Sequence, residues 1–202
     1  MNDVLTPTQR QAAAAAVEEV RADPSRIRVR FPAVARTIAR TAPEPGDLGR
    51  LRAEDLVRRR LLEAFAEVTP DRAAVLDEAE NLYRYGDADE RRAVLLALSH
   101  LPIGDGGIEL VRDALRSNDP RLVVAALGDY GHQYLDAEGW RHGVLKCLFM
   151  GIPLDLVVGL SGRLDPTLRG MVAAYAAERT AAGRAVPADA RRILSTDSTE
   201  ES

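Results

Sequence analysis

The feature that most constrains this chain is its punctuation. Helix-start residues recur along it: Thr6-Pro7 with Gln9, Asp87 with Glu90, Asp119-Pro120 and Asp165-Pro166. Each places a side-chain oxygen where it can accept one of the unbonded N–H groups that open a helix. Gln9 and Glu90 stand three residues after their caps, the capping-box position. Pro at the first helical position loses only an N–H that would have no partner there. Gly86, the 102–107 run PIGDGG and Gly183 supply the stops. Between these signals apolar residues recur at helical spacing, as in Leu56, Val57, Leu61, Ala64 and Phe65, or Val75, Leu76, Ala79, Leu82 and Tyr83. Only residues 25–31 alternate, with Ile27, Val29 and Phe31 apolar. A lone strand has nothing to pair with, so this segment reads as an extended connector into a short helix over 32–40.

The expected helices lie at 7–22, 32–40, 52–68, from a cap at Thr69-Pro70 to Gly86, and then at 88–101, 108–116, 120–134, 137–150, 153–160, 166–182 and 187–194. The fold class is all-α with about ten helices, as an irregular HEAT-like helix-pair solenoid or a compact helical bundle. Stacked helix pairs would form a concave surface of the kind that binds a peptide or another protein. Residues 1–194 read as a single all-helical domain. Within it, 1–49 hold N-terminal helices and a Pro/Gly-rich loop (TAPEPGDLG), and 50–194 form a helical core. The polar 195–202 stretch, STDSTEES, reads as a disordered tail.

A chain of 202 residues is long enough to bury a core without disulfides or metals. Its single Cys excludes an intramolecular disulfide and any multi-cysteine metal site, which suits a cytoplasmic setting. The N-terminus lacks a basic segment followed by an apolar one, so no secretory signal is expected, and Ala12–Ala16 is too short to span a membrane. Net charge is −4 with both signs interspersed, which argues against a nucleic-acid-tracking surface. Arg58, Arg59 and Arg60 read as part of a solvated helix face.

The most apolar stretch is 140–160, WRHGVLKCLFMGIPLDLVVGL, and it holds the only Trp, the only Cys and the only Lys. On a helical wheel Trp140, Val144, Leu145, Cys147, Leu148 and Phe149 cover more than half the circumference, which predicts a helix buried on two sides. His142, Lys146 and Met150 form the remaining stripe, with Gly139 and Gly143 beside it. That stripe is a pocket, with Lys146 as cation or nucleophile and His142 as its acid–base partner, or a solvent-facing row, or a place where Lys146 pairs with a carboxylate from the next helix. Cys147 falls on the apolar arc and reads as a buried structural thiol. His100 and His132 are far apart, and no ligand spacing, phosphate loop, dinucleotide fingerprint or nucleophile elbow occurs, so nothing calls for a metal or a cofactor.

Trp140-x-x-x-Val-Leu-Lys-x-x-Phe149, Pro153-Leu154 and Gly159-Leu160 resemble the core signature of EboA-domain proteins. Tyr175-Ala-x-Glu-Arg179-x-Ala-Ala-Gly-Arg184 resembles that family's C-terminal signature, and 91–102 resembles its leucine-rich helix. The likeness is clearest over 88–194. The chain departs from the family where it has Arg141-His142-Gly143 in place of Asn-Gln-Met, Ala177 in place of His, Thr180 and Ala190 in place of Trp, and Gly128-Asp129 before Tyr130 in place of Asn-Pro. The resemblance implies a bacterial or algal accessory protein encoded beside a prenyltransferase, a sugar-phosphate-type cyclase and a TIM-barrel protein, in a pathway that makes or exports a secondary metabolite. Loss of the family's polar groups favours a non-catalytic scaffold whose partner is a pathway protein or a small apolar metabolite. The competing expectation is an enzyme acting on a small metabolite around Lys146, with Tyr175 or Glu178 as partner. The ligand-binding or interface candidates are Tyr130, Trp140, His142, Lys146, Tyr175, Glu178, Arg179 and Arg184.

Overall fold

The computed structural model describes residues 4–42, 44 and 46–195. The expected tail falls almost wholly outside the described residues. Among them lie eleven α-helices: α1 (Pro7–Ala22), α2 (Ile27–Thr37), α3 (Ala53–Val68), α4 (Arg72–Tyr85), α5 (Ala88–Ala97), α6 (Ile108–Arg116), α7 (Pro120–Ala126), α8 (Asp129–Tyr134), α9 (Ala137–Met150), α10 (Pro166–Ala181) and α11 (Ala188–Ser195). No strand occurs among the described residues, and the arrangement fits a compact helical bundle.

The predicted caps operate. The Thr6 hydroxyl accepts from Gln9 N while the Gln9 side chain accepts from Thr6 N, and Asp87 and Glu90 repeat the exchange. Asp119 and Asp165 accept from the opening turns of α7 and α10, and Asp136, not predicted as a cap, does the same at α9. At α4 the cap is Asp71, not Thr69, because its carboxylate reaches Ala73 N.

Packing follows chain order. α3 packs against α1, α2, α4 and α5; α5 against α7; α7 against α6 and α9; α9 against α10; and α10 against α11. One contiguous apolar core runs from Leu5 to Ile193. The hub is therefore α3, with Val57, Leu61, Leu62 and Phe65 buried, whereas α9 is a two-sided helix nearer the C-terminal end. Each such fully buried side chain stabilises the fold by about 1.5–3 kcal/mol.

Three segments differ from expectation. Residues 27–31 are helical, not extended: Ile27, Phe31 and Val34 bury one helical stripe, while Val29 is 56% exposed. Pro32 sits inside α2 and withdraws one backbone donor from it. The single helix expected over 120–134 breaks at Leu127-Gly128. The break frees the Leu127 carbonyl to accept from Val158 N at 3.1 Å and lets Gly131 approach the Ala126 carbonyl, where a Cβ would lie 1.9 Å away. The helix expected over 153–160 is instead a turn at Leu154–Leu156 and another at Ser161–Arg163. Gly159 between them has φ +73° and lies against the His132 ring, so no side chain fits there.

Candidate functional site

The residues singled out by sequence fall into three places. Trp140 is core: it is buried beneath the Arg163 guanidinium, 4.7 Å from its ring. Arg163 in turn donates to the carbonyls of His132 and Leu135 at the end of α8. The indole Nε1 is buried without a hydrogen-bond partner. Val144, Cys147 and Leu148 are buried as predicted, and burial pushes the Cys147 thiol up to about 12. Phe149 is not core; it is 61% exposed and meets the Tyr175 ring edge-on at 4.7 Å.

His142 and Lys146 share an open groove of about 520 Å³ with Arg112, Arg116 and Glu138. Lys146 Nζ donates to the Leu115 carbonyl at 2.8 Å, near the C-terminus of α6. A cation there meets the negative end of the helix, worth about 0.3–1 kcal/mol. Among the described residues no carboxylate or phenol bonds it. Gly143 packs against Leu127 and Leu115, so it makes room for neighbouring side chains.

The C-terminal signature closes helices. Tyr175 Oη donates to the Leu148 carbonyl at 3.1 Å, near the end of α9. Arg179 lies over the Tyr175 ring at 5.7 Å and donates to the Ala185 carbonyl at 2.7 Å. Arg184 N returns to the Arg179 carbonyl, and both Glu178 and Arg184 are exposed. Tyr130 is buried; its hydroxyl accepts from Gly107 N and donates to the Gly104 carbonyl, pinning the 102–107 turn. The structure thus pairs His142 with Lys146 and Tyr175 with Arg179, but does not join the two pairs.

Tyr130 also lines a more enclosed cavity of about 310 Å³. Its apolar wall is Leu48, Leu95, Leu96, Val124, Leu156 and Val158, and its polar groups include Ser99, Arg92, Asp129 and Asp155. The loop after α2 reaches it: a Cβ on Gly49 would lie 2.5 Å from the Leu156 side chain. The volume is at the lower end of the about 300–1,000 Å³ usual for small-molecule sites.

On sequence grounds Arg58 belongs to a solvated face. In the structure it is 1% exposed. Arg58 Nε donates to the Phe31 carbonyl at 3.2 Å, Nη2 lies 3.5 Å from Glu90, and Nη1 is buried with no partner. One turn earlier on α3, Asp55 pairs with Arg92 of α5, both buried. Burial pushes the Asp55 carboxyl above its ordinary range, against the pull of Arg92 and of the Arg52 backbone N–H. Arg58 lines a groove of about 430 Å³ together with Arg36, Arg40, Arg52 and Arg121. A second depression of about 350 Å³, lined by Arg28, Leu82 and Tyr85, shares Pro32 and Glu90 with it. The legible signal was spacing: Asp55, Arg58, Leu62 and Phe65 fall on one helical stripe, which places two charges in line with the core.

No helix among the described residues is long and apolar enough to cross a membrane, and none of their His, Cys, Asp and Glu side chains gather in threes as a metal site would require. A family model described as "Metabolite traffic protein EboA" matches residues 49–195. No curated protein and no solved structure matches the chain.

Proposed function

The chain belongs to the EboA family of metabolite traffic proteins, and from that premise we propose that it is a non-catalytic accessory protein that holds a small apolar pathway intermediate. The setting is a cytoplasmic pathway that makes or exports a secondary metabolite. The observation that carries this reading is the cavity of about 310 Å³ walled by Leu48, Leu95, Leu96, Val124, Leu156 and Val158, all but Leu48 inside the family-matched region. Its polar groups, Ser99, Arg92, Asp129 and Asp155, give a largely apolar guest an orientation. The exposed Phe149 at the α9–α10 face offers a second contact, for a pathway protein that receives the intermediate.

The enzymatic alternative has less support. Lys146 is held by the Leu115 carbonyl, Tyr175 by the Leu148 carbonyl and Tyr130 by Gly104 and Gly107. Lys146→Ala is expected to leave every pathway product unchanged in a host carrying the neighbouring genes.

The binding test uses the neutral dye phenylnaphthylamine. Ser99 is exposed at the cavity rim, so Ser99→Trp fills the space without disturbing the core. Saturable fluorescence enhancement is expected for the parent protein and its loss in Ser99→Trp, with an unchanged helical circular dichroism spectrum. Absence of saturable binding, or binding that Ser99→Trp leaves intact, overturns the reading.

A further inference from the structure

We propose that the groove beside α2 binds a small organic phosphate, its phosphate held by Arg36, Arg40 and Arg58 and its apolar or aromatic body lying along Pro32, Leu82 and Tyr85. This site is distinct from the apolar cavity of the preceding section and does not depend on it.

Arg58 provides the first ground. A guanidinium has five N–H donors, and burying any of them unbonded is costly. Nε is bonded to the Phe31 carbonyl, but Nη2 stands 3.5 Å from Glu90 and Nη1 has no partner at all. Glu90 faces Arg58 with Oε1 while its Oε2 accepts from Asp87 N in the capping box that opens α5. A ligand oxygen entering the groove would give Arg58 the acceptor it lacks.

Unpaired arginines are the second ground. Five arginines, Arg36, Arg40, Arg52, Arg58 and Arg121, line the groove with four carboxylates, and Arg121 is also held by Asp119, outside the lining, at 2.6 Å. Those carboxylates are already engaged. Glu54 accepts from Thr41 N, Asp87 and Glu90 bond each other's backbone, and Asp89 is shared by Arg52 at 3.0 Å and Arg121 at 2.6 Å. Arg36 and Arg40 are exposed and make no ion pair among the described residues. The unspent donors thus come from at least two directions, the end of α2 and the middle of α3. A carboxylate has two oxygens and is satisfied by one arginine fork, whereas a phosphate offers three terminal oxygens and suits several.

The third ground is continuity. Pro32 and Glu90 line both the arginine groove and the neighbouring depression, where Tyr85 is 81% exposed beside Leu82. A ligand with its phosphate among the arginines can extend its body over that ring. Arg28, at the same end, is occupied by a two-pronged contact with Glu78 and does not compete.

The test is calorimetric titration of the full chain with inorganic phosphate, phenyl phosphate and benzoate. Phenyl phosphate is expected to bind about fivefold or more tightly than inorganic phosphate, and benzoate more weakly than either. The Arg36→Ala/Arg40→Ala double variant, altered only at exposed and unpaired positions, should lose about tenfold or more in phenyl phosphate affinity. Tyr85→Ala should abolish the preference for phenyl phosphate over phosphate, and Ser99→Trp should change none of these values. No measurable heat with phenyl phosphate, unchanged affinity in the double arginine variant, or benzoate binding as tightly as phenyl phosphate would each overturn the assignment. A phenyl preference that survives Tyr85→Ala overturns the placement of the apolar body.

Discussion

Replacing Asp55 by Ala is expected to cost about 4–6 kcal/mol of folding stability. Asp55 is 1% exposed and Arg92, its partner across the α3–α5 contact, 3%. Removing the carboxylate leaves a guanidinium in the core with only the Arg50 carbonyl, at 2.7 Å. An uncompensated buried charge of this kind costs about 3–5 kcal/mol. The same carboxylate accepts from Arg52 N at 2.9 Å, and losing that helix-opening bond adds about 1 kcal/mol. For a chain of this size the sum corresponds to a fall in Tm of about 8–24 °C. The double variant Asp55→Leu/Arg92→Met removes both charges together and is expected to lose only about 1–2 kcal/mol, because apolar replacements of similar volume tolerate burial better than a lone ion. Urea unfolding of the parent, both singles and the double closes a mutant cycle. A single Asp55→Ala loss under about 1 kcal/mol, or losses in the two singles that add up to that of the double, would refute the buried pairing.

Gly131→Ala should destabilise by at least about 1–3 kcal/mol, since its Cβ would meet the Ala126 carbonyl at 1.9 Å, whereas Gly170→Ala, with open space inside α10, should stabilise by about 0.4–1 kcal/mol; thermal melts of the two should move in opposite directions. Iodoacetamide at mildly alkaline pH should alkylate Cys147 about a hundredfold or more slowly in the native protein than in urea, because burial holds the thiol up at about 12; mass spectrometry follows the adduct. The Arg141 guanidinium beside Asp165, together with the Leu168 N–H, holds that carboxyl below its ordinary value of 3.8. The resulting stability is complete above that value and lost as pH falls through the lower folded value, so the Tm gap between the parent and Asp165→Asn should close on acidification from about pH 5 to about pH 2.

Local signals carried the helices that open on a capping carboxylate or hydroxyl, because that chemistry is contained in four consecutive residues. α1, α5, α7 and α10 begin where Thr6, Asp87, Asp119 and Asp165 place them. Breaks that depend on distant partners left no such trace. The interruption at Leu127 follows from a bond to Val158, and the bend at Gly159 follows from the His132 ring, thirty-one and twenty-seven positions away along the chain. Residues 27–31 misled because alternation over five positions also fits a helix that buries the first and fifth of them, and only the partner surface on α3 decides between the two. The apolar signature around Trp140 was recognisable in sequence, but the carbonyls that Lys146, Tyr175 and Arg179 bond were not. The two cavities are assembled from segments that no single motif spans.

The buried charges between α3 and α5 connect these two cavities. Charges in a core stabilise little compared with well-packed apolar side chains, so stability alone is a poor account of three of them, with the half-buried Glu90 beside them, in one contact. Their placement supplies another. Asp55 and Arg58 lie one turn apart on α3, and Glu90 and Arg92 two residues apart on α5. Arg92, fixed by Asp55 and the Arg50 carbonyl, forms part of the wall of the apolar cavity. Arg58, steadied by the Phe31 carbonyl and by Glu90, forms part of the wall of the arginine groove. A substitution that slides α5 along α3 by a turn would therefore misplace a polar group in both cavities at once. A Leu or Met at the same positions would fill the core and leave neither cavity its cation.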